Sequence, residues 1–525
     1  MTTSQGSSNQ QIARAAGVVM AAFVFSTLIG LLRQILVANA FGTGKEIEAF
    51  AAANRVSETL FNLVAGGALG SAFIPTFTTL LTRDDRRGAW KLASAISNWV
   101  LVILTSAAAL AAIFAPLIVR YLLAPGFAAD PEKEALTISL MRLMLPSVVL
   151  FGLSGLVIGI LNSHQIFFIP ALTPSMYALG MIFGVVVLKP YLGIYGLALG
   201  VLIGACLHLG LQIPSLLRTK PIYFPSFGVQ LESVREVVRL FLPRLLGVAI
   251  VQLNFWINVW LASSMVEGSI NGVTYAFALM LMPQAVIAQS IAIAAMPTFS
   301  AQVALGRLTA MRSSLAASLR GVLLLSIPAT FGLVILRTQL ITALYQRGEF
   351  TSFSTQLVAW ALLWYAIGLV GHSVVEIVAR AFYALHDTKT PVFVGVGAMS
   401  LNILFSLLFS TLFSRLGWLP LGGLALANSL ATALEMVALL WIMRRRLAGL
   451  EGASIAKAAG LASLAAVVMS GVMIFWMNGS TGQPAWLVVI VGILLGVIVY
   501  GLLLYLLRVE ELRMLIKAIQ QRVRR

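Results

Sequence analysis

Charge is what this chain has least of: of its 525 residues only 10% are Asp, Glu, Lys or Arg, against about a quarter in a soluble domain. A water-solvated globular surface is thereby excluded as its main environment. Cysteine occurs once, at Cys206, so an intrachain disulfide is impossible, and no zinc-ligand spacing is present. The Gly-Lys-Ser/Thr loop that cradles nucleotide phosphates is absent, which removes the usual ATP-driven engine. Nor do acids and histidines gather at one interface as an embedded transferase would require. The nearest approach is His386-Asp387 beside Lys389. The chain therefore reads as no enzyme, with no metal and no cofactor. Acid is scarcer than base, 18 residues against 35, for a net charge of +17. In a soluble chain that balance points to nucleic acid. Here the cations sit in loops between apolar runs, so no nucleic-acid partner is expected. Residues 1–10 are polar and lack a basic region and a cleavage site, which makes them a short tail rather than a cleaved signal peptide.

What is abundant is apolar sequence, 60% of the chain. A helix needs about 20 such residues to cross the hydrocarbon. Fourteen segments qualify, near 15–38, 49–73, 93–118, 136–161, 167–188, 192–213, 243–264, 273–299, 317–336, 354–384, 391–413, 419–443, 454–476 and 485–507. The fold class is an all-α polytopic membrane protein. Arg83, Arg86, Arg87 and Lys91, then Arg218 to Arg239, Arg307 to Arg320, Lys389 and Arg444 to Arg446 all fall on one side if both termini are cytoplasmic. Lys45, Arg120, Lys133, Lys189, Arg337, Arg347 and Arg415 are the sparser set opposite. Positive charge collects on the cytoplasmic side, so a multi-pass cytoplasmic-membrane protein with both ends inside is expected.

An internal repeat organises the first twelve segments. Ile74-Pro75-Thr76-Phe77 recurs 222 residues later as Met296-Pro297-Thr298-Phe299. His164 ahead of Pro170 is matched by His386 ahead of Pro391, and Gly196-Leu-Ala-Leu by Gly423-Leu-Ala-Leu. Six spans repeated in one orientation make two lobes around a midplane site. The expected organisation is a cytoplasmic tail (1–14), an N-lobe (15–213), a linker with an amphipathic helix (214–244), a C-lobe (243–443), two further helices (444–507) and an amphipathic tail (508–525). In Leu231–Arg244, Val234, Val237 and Val238 oppose Glu232, Arg235, Glu236 and Arg239. This stretch and the tail read as helices on the anionic inner leaflet, with a plain solvated charge run as the other reading.

Charged groups at membrane depth mark the functional candidates. Arg33 follows about eighteen mostly apolar residues, and Arg55 and Glu58 lie one turn apart in the next segment. An arginine at bilayer centre costs roughly 2.5–3.5 kcal/mol on insertion scales, so it is kept where it meets a wet cavity or a partner. The alternatives are that Arg33 snorkels to the interface and that Arg55 and Glu58 merely pair. Glu376 and Glu435 are the second lobe's embedded carboxylates and the candidates for coupling a proton or cation. His208 and His372 are isolated and read as structural.

Gly30-x-x-Arg33, Phe41-Gly42, Glu48-Ala49-Phe50, Ala72-Phe73-Ile74-Pro75, Gly159-Ile-Leu-Asn162 and above all Phe382-Tyr383-Ala384 with Asp387-Thr388-Lys389-Thr390-Pro391 carry a likeness to a known family. The chain resembles the MurJ/MviN lipid II flippases of the multidrug/oligosaccharidyl-lipid/polysaccharide exporter superfamily. The resemblance implies a flippase carrying lipid II, a polyprenyl-pyrophosphate-linked saccharide, to the outer leaflet by alternating access, for peptidoglycan synthesis. It implies Arg33 as a pyrophosphate ligand, Glu48 where the family has Asp, and cell-wall synthesis proteins as further candidate partners. Thr27, Phe61 and Gly66 stand where members often carry Arg, Arg and Glu, and Tyr275 to Leu281 lacks the usual Arg. Arg55 and Arg244 are the cations available to compensate. Those departures keep two alternatives open: a flippase for another lipid-linked polysaccharide or a drug exporter of the superfamily, and a transport-incompetent scaffold for cell-wall enzymes.

Overall fold

The computed structural model describes residues 22, 24–64, 68–509 and 511, and among them regular structure is helical throughout. The chain divides into two compact units, Met1–Glu267 and Gly268–Arg525. In the first unit the helices are α1 (Val24–Phe41), α2 (Lys45–Val64), α3 (Ala68–Thr82), α4 (Arg86–Ile113), α5 (Pro131–Ser163), α6 (Phe168–Leu192), α7 (Ile194–Arg218) and α8 (Glu232–Ala262). The second holds α9 (Ser269–Ala304), α10 (Leu308–Tyr345), α11 (Ser352–Ala384), α12 (Lys389–Arg415), α13 (Leu421–Arg446), α14 (Gly452–Gly479) and α15 (Ala485–Leu506).

Among the described residues twelve helices are long and apolar enough to cross a membrane, or thirteen with the bent pair Glu232–Leu242 and Gly247–Ala262. The expected second segment accounts for the shortfall from fourteen. Its first part, α2, carries Lys45, Glu46, Glu48, Arg55 and Glu58, and its second part, α3, has only 15 residues. Gly66 and Gly67 lie outside the described residues, as do the tail 1–14 and the amphipathic tail beyond Glu511.

The repeat is written in the backbone as well as in the sequence. Asp84 and Gly306, and Gln165 and His386, take the left-handed conformation at matching helix ends, with φ of 58°, 67°, 60° and 59°. Each closes the same reverse turn: Asp85 N–H donates to Leu80 O, Arg307 to Gln302 O, Ile166 to Leu161 O and Asp387 to Phe382 O, all within 2.8–3.0 Å. This bond, from two residues past the cap back into the last turn, satisfies carbonyls that the helix end leaves open. Pro75 and Pro297 both sit inside helices at the shared Pro-Thr-Phe stretch.

Gly196 and Gly423 share one physical reason. A Cβ on Gly196 would come 2.7 Å from Leu188 C, and one on Gly423 would come 2.5 Å from Phe409 C. The Gly-Leu-Ala-Leu stretches are where the second arm of a helical hairpin touches the backbone of the first. In the second unit, Phe299, Leu315, Leu319, Phe382, Leu439 and Ala466 join five helices in one buried cluster.

The linker is anchored to protein. Arg86 donates to the carbonyls of Thr219 and Lys220, Asn98 to Ser226 O and Trp99 to Phe227 O, so residues 219–228 run along α4. The amphipathic start of α8 packs part of its apolar face on protein. Val234 and Val237 are buried within the first unit, and of the three valines only Val238 stays exposed.

Candidate functional site

Four helices of the first unit bring the polar groups of the opening segments together. Arg33, on α1, places its guanidinium 5.7 Å from the centre of the Tyr177 ring of α6 and donates to Met181 Sδ at 3.5 Å. Among the described residues no carboxylate pairs with it. Asn54 lies beside Tyr177 and donates to Glu58 Oε1 at 2.8 Å. Arg55 Nη1 meets Glu58 Oε2 at 2.8 Å, its guanidinium lies 5.0 Å from the Phe255 ring, and its Nε is buried with no partner. Next along α2, Thr59 donates to Arg55 O at 2.7 Å and accepts from Trp256 Nε1 of α8 at 2.7 Å, with Gln252 Oε1 of α8 3.4 Å away. A polar chain thus runs Arg33, Tyr177, Asn54, Glu58, Arg55, with Thr59 and Gln252 beyond. Its chemistry suits an anion. Glu58 neutralises one of two cations, and the other is set against an aromatic face and a thioether, which leave its charge uncompensated.

Glu48 is elsewhere. Its carboxylate meets Lys133 Nζ at 2.6 Å, and both side chains are buried, 3% and 9% exposed. The Lys133 ammonium also stands 4.2 Å from the Phe127 ring. Beside this pair Lys45 donates to Glu132 at 2.6 Å and Asp130 at 3.1 Å. Those bonds raise the Lys45 pKa, while Asp130, which accepts from Lys45 and also from the Lys133 backbone N–H, has its pKa lowered by both bonds. Arg244 is exposed on α8.

The coupling candidates lie in the second unit. Glu376 pairs with Arg380 at 2.8 Å, one turn along α11. Glu435, half-buried on α13, is in no ion pair among the described residues, and its Oε1 faces Gly395 of α12. His372 bonds Asn428 at 3.1 Å and Thr432 at 3.3 Å. In the first unit Ser154 bonds His208 at 2.6 Å and Gln212. Both histidines therefore tie neighbouring helices together.

The loop that carries the most specific family likeness is built as a helix start. Asp387 accepts from Lys389 N at 3.1 Å, Thr390 N at 3.0 Å and Thr390 Oγ1 at 2.5 Å, and pairs with Arg446 at 2.6 Å. Partial desolvation opposes its ionisation, but the Thr390 bonds, the Arg446 charge and the Lys389 bond together hold its pKa low. Thr388 precedes α12, and Pro391 is buried in its first turn, where a missing N–H costs nothing.

Sequence reasoning missed Tyr177 and Lys133. Tyr177 sits in an unremarkable apolar run, and Lys133 looked like an ordinary loop cation. Nothing local signals that either lies against a group on a helix far away in sequence.

Two pseudo-equivalent helical units, with polar groups embedded among apolar spans, define a transporter of the multi-span helical class. The solved multidrug resistance MATE family transporter in its inward-facing conformation has the same fold, with a TM-score of 0.68 at 16% identity over 83% of this chain and 99% of that one. The chain belongs to the lipid II flippase MurJ family, whose model matches residues 37–496. These are transporters, not enzymes. The chain is 29% identical over 417 residues to the lipid II flippase MurJ of Burkholderia cenocepacia, spanning 78% of this chain and 80% of that protein. It is 30% identical over 461 residues to the probable lipid II flippase MurJ of Rhizobium tropici, 86% and 84% of the two. The solved lipid II flippase MurJ in an inward closed conformation superposes with a TM-score of 0.80 at 26% identity, over 92% of this chain and 97% of that one.

Proposed function

We propose that this chain moves lipid II from the inner to the outer leaflet, with Arg33 as the first ligand of the substrate pyrophosphate. The observation that carries this is the Arg33 guanidinium, inside an apolar helix with no carboxylate paired to it among the described residues. Arg55 is the second ligand, held by Glu58, and its buried unpartnered Nε is a donor for a phosphate oxygen. Glu48 serves as the partner that fixes Lys133 rather than as a ligand. Arg244, exposed on α8, is a reserve cation. Cations on the sparser side, Lys45, Lys133 and Arg120, all face acids, which supports placing that side outside. On the opposite side Arg445 stacks 3.6 Å from the Trp441 ring, a fit for anionic lipid at the inner interface. Cell-wall synthesis proteins are the partners this reading suggests.

Lipid II binding and complementation of a flippase-depleted bacterium test it. Arg33→Ala at matched membrane levels should weaken binding by about 1.5–3 kcal/mol, roughly tenfold to hundredfold. Arg33→Lys should restore only part, because an ammonium does not grip two oxygens at once. Wild-type binding by Arg33→Ala would make Arg33 an interfacial residue and sink the assignment. Of the two coupling candidates Glu435 is the stronger, since Arg380 already compensates Glu376. Glu435→Gln should slow flipping while leaving lipid II affinity unchanged. Unaltered turnover across imposed ion gradients would place the energy source elsewhere.

A further inference from the structure

Where α10 nears its end, at the turn between α14 and α15, the second unit holds a cavity of about 230 Å³. Thr338, Gln339, Thr342, Ser480, Thr481 and Gln483 supply its polar lining, and Met477, Ala485 and Val488 its apolar part. No charged side chain lines it. Some of these groups are already bonded. Ser480 donates to Trp476 O at 2.7 Å, and Thr342 donates to Gln346 Oε1 at 2.8 Å. The Gln339 carbonyl oxygen is not: it is buried and accepts no hydrogen bond. Buried acceptors are ordinarily satisfied by the protein or by ordered water, so an open one in this wall marks unmet polar demand. The wall is braced where Trp476 Nε1 donates to Val488 O at 3.2 Å.

The setting narrows the ligand. Phe475 and Trp486, on the two helices that this turn joins, are exposed, as aromatic side chains are at headgroup depth. Hydroxyls and amides repel an acyl chain, and the lack of charge gives a phosphate or a metal ion nothing to bind. Sites for drug-sized molecules occupy about 300–1,000 Å³, so this smaller cavity suits one ring. We propose that it is a saccharide subsite, taking a single neutral N-acylated sugar whose hydroxyls and amide meet Gln339, Thr481 and Gln483. The acyl methyl has Met477, Ala485 and Val488 to contact. The sugar comes either from the lipid-linked saccharide, which rests on the function proposed above, or from a membrane glycolipid.

The test uses the full-length chain in nanodiscs, with Thr338→p-benzoylphenylalanine as photo-crosslinker. The probes are lipid II, the polyprenyl pyrophosphate lacking its saccharide, and a neutral glycosyl diacylglycerol. Excess free N-acetylglucosamine is the competitor. Labelling of lipid II or of the glycolipid, suppressed by the free sugar and missing with the sugarless lipid, is the expected result, and which of the two is labelled identifies the source. Gln339→Leu and, independently, Thr481→Val should each weaken competition by about two- to tenfold, the size of one lost hydrogen bond. Equal labelling by the sugarless lipid, or no labelling by either sugar-bearing probe, overturns the subsite. Lipid II flipping by the same preparation is read separately. A sample that flips but is not labelled loses only the subsite, and a sample labelled by glycolipid that does not flip loses only the flippase reading.

Discussion

The hairpin α6–α7 and its counterpart α12–α13 solve one packing problem with different residues. In the first, Gly180 and Gly184 face Gly200 and Gly204 so closely that a Cβ on Gly200 would lie 2.8 Å from Gly180 O and 3.1 Å from Gly184 Cα. In the second, the matching positions on α12 hold Asn402 and Ser406, both 1% exposed, with the Ser406 hydroxyl donating to Asn402 Oδ1 at 3.1 Å. Opposite them stand Ala427 and Ala431, both buried. One hairpin gains contact by backbone approach, while in the other small side chains stand opposite a polar pair that is bonded within α12. Only the Gly196 and Gly423 crossing is kept in both. The two hairpins share the close crossing and differ along the rest of the seam. The same holds of charge. The buried Glu48–Lys133 pair and the Arg33 chain belong to the first unit, and among the described residues of the second no ion pair is buried as deeply.

The largest expected effect tests that asymmetry of charge. Lys133→Met removes the ammonium that Glu48 pairs with in a buried site, which should cost up to about 3–5 kcal/mol of stability. Glu48→Gln with Lys133→Met should recover much of it, because no lone charge is then left buried. Thermal unfolding of the two variants in matched detergent reads the difference. If the single variant unfolds with the wild type, the pair is not a structural lock and Glu48 is free to be a ligand after all.

Next comes the seam itself. Gly200→Ala should cost about 1–3 kcal/mol, since the added methyl meets backbone that cannot move aside. Ala427→Gly, the reverse change in the other hairpin, should cost roughly 0.5–1 kcal/mol through chain entropy. Similar losses at the two positions would mean that the hairpins are packed alike and that the comparison fails.

The repeat, the helix positions and the membrane class were legible in the sequence because periodicity and hydropathy are local properties. The candidate site was legible in part. Arg33, Arg55 and Glu58 stand out as charges in apolar sequence, and Arg55–Glu58 pair at helical spacing as read. Their wider company was not legible. Tyr177 reaches Arg33 across 144 positions and Lys133 reaches Glu48 across 85, distances at which no spacing rule operates. Arg380, one turn along α11, pairs with the candidate Glu376. At α2 a test of length and hydropathy stops short, because the charges that this helix packs on protein lower its hydropathy. At the start of α8 the sequence shows an amphipathic face, and such a face fits protein as well as lipid, so the burial of Val234 and Val237 was not legible.

The smallest expected effect is also the most specific, at the helix ends where the two repeats agree in backbone but not in side chain. Gln165 and His386 adopt the same left-handed conformation, and the residue after each closes the same turn. In the second unit that residue is Asp387, which caps α12 and binds Arg446 at the end of α13. In the first it is Ile166, α6 starts with no side-chain cap, and the exposed Arg218 ends α7. Because the Asp387 pKa is held low, its contribution is present above the ordinary carboxylate range and is lost as pH falls through the depressed value. Asp387→Asn should therefore be less stable than the wild type near neutral pH and converge with it in acid. Ile166→Asp is the reciprocal change. It should add a cap worth about 0.5–1 kcal/mol and raise the unfolding temperature, with Ile166→Asn keeping most of the gain and Arg218→Gln removing the part due to charge. A gain insensitive to Arg218 would show that the graft caps the helix without recreating the tie between α6 and α7. No gain at all would show that the two loops, alike in φ and hydrogen bonding, present their caps differently, and that the likeness of the repeats ends at the backbone.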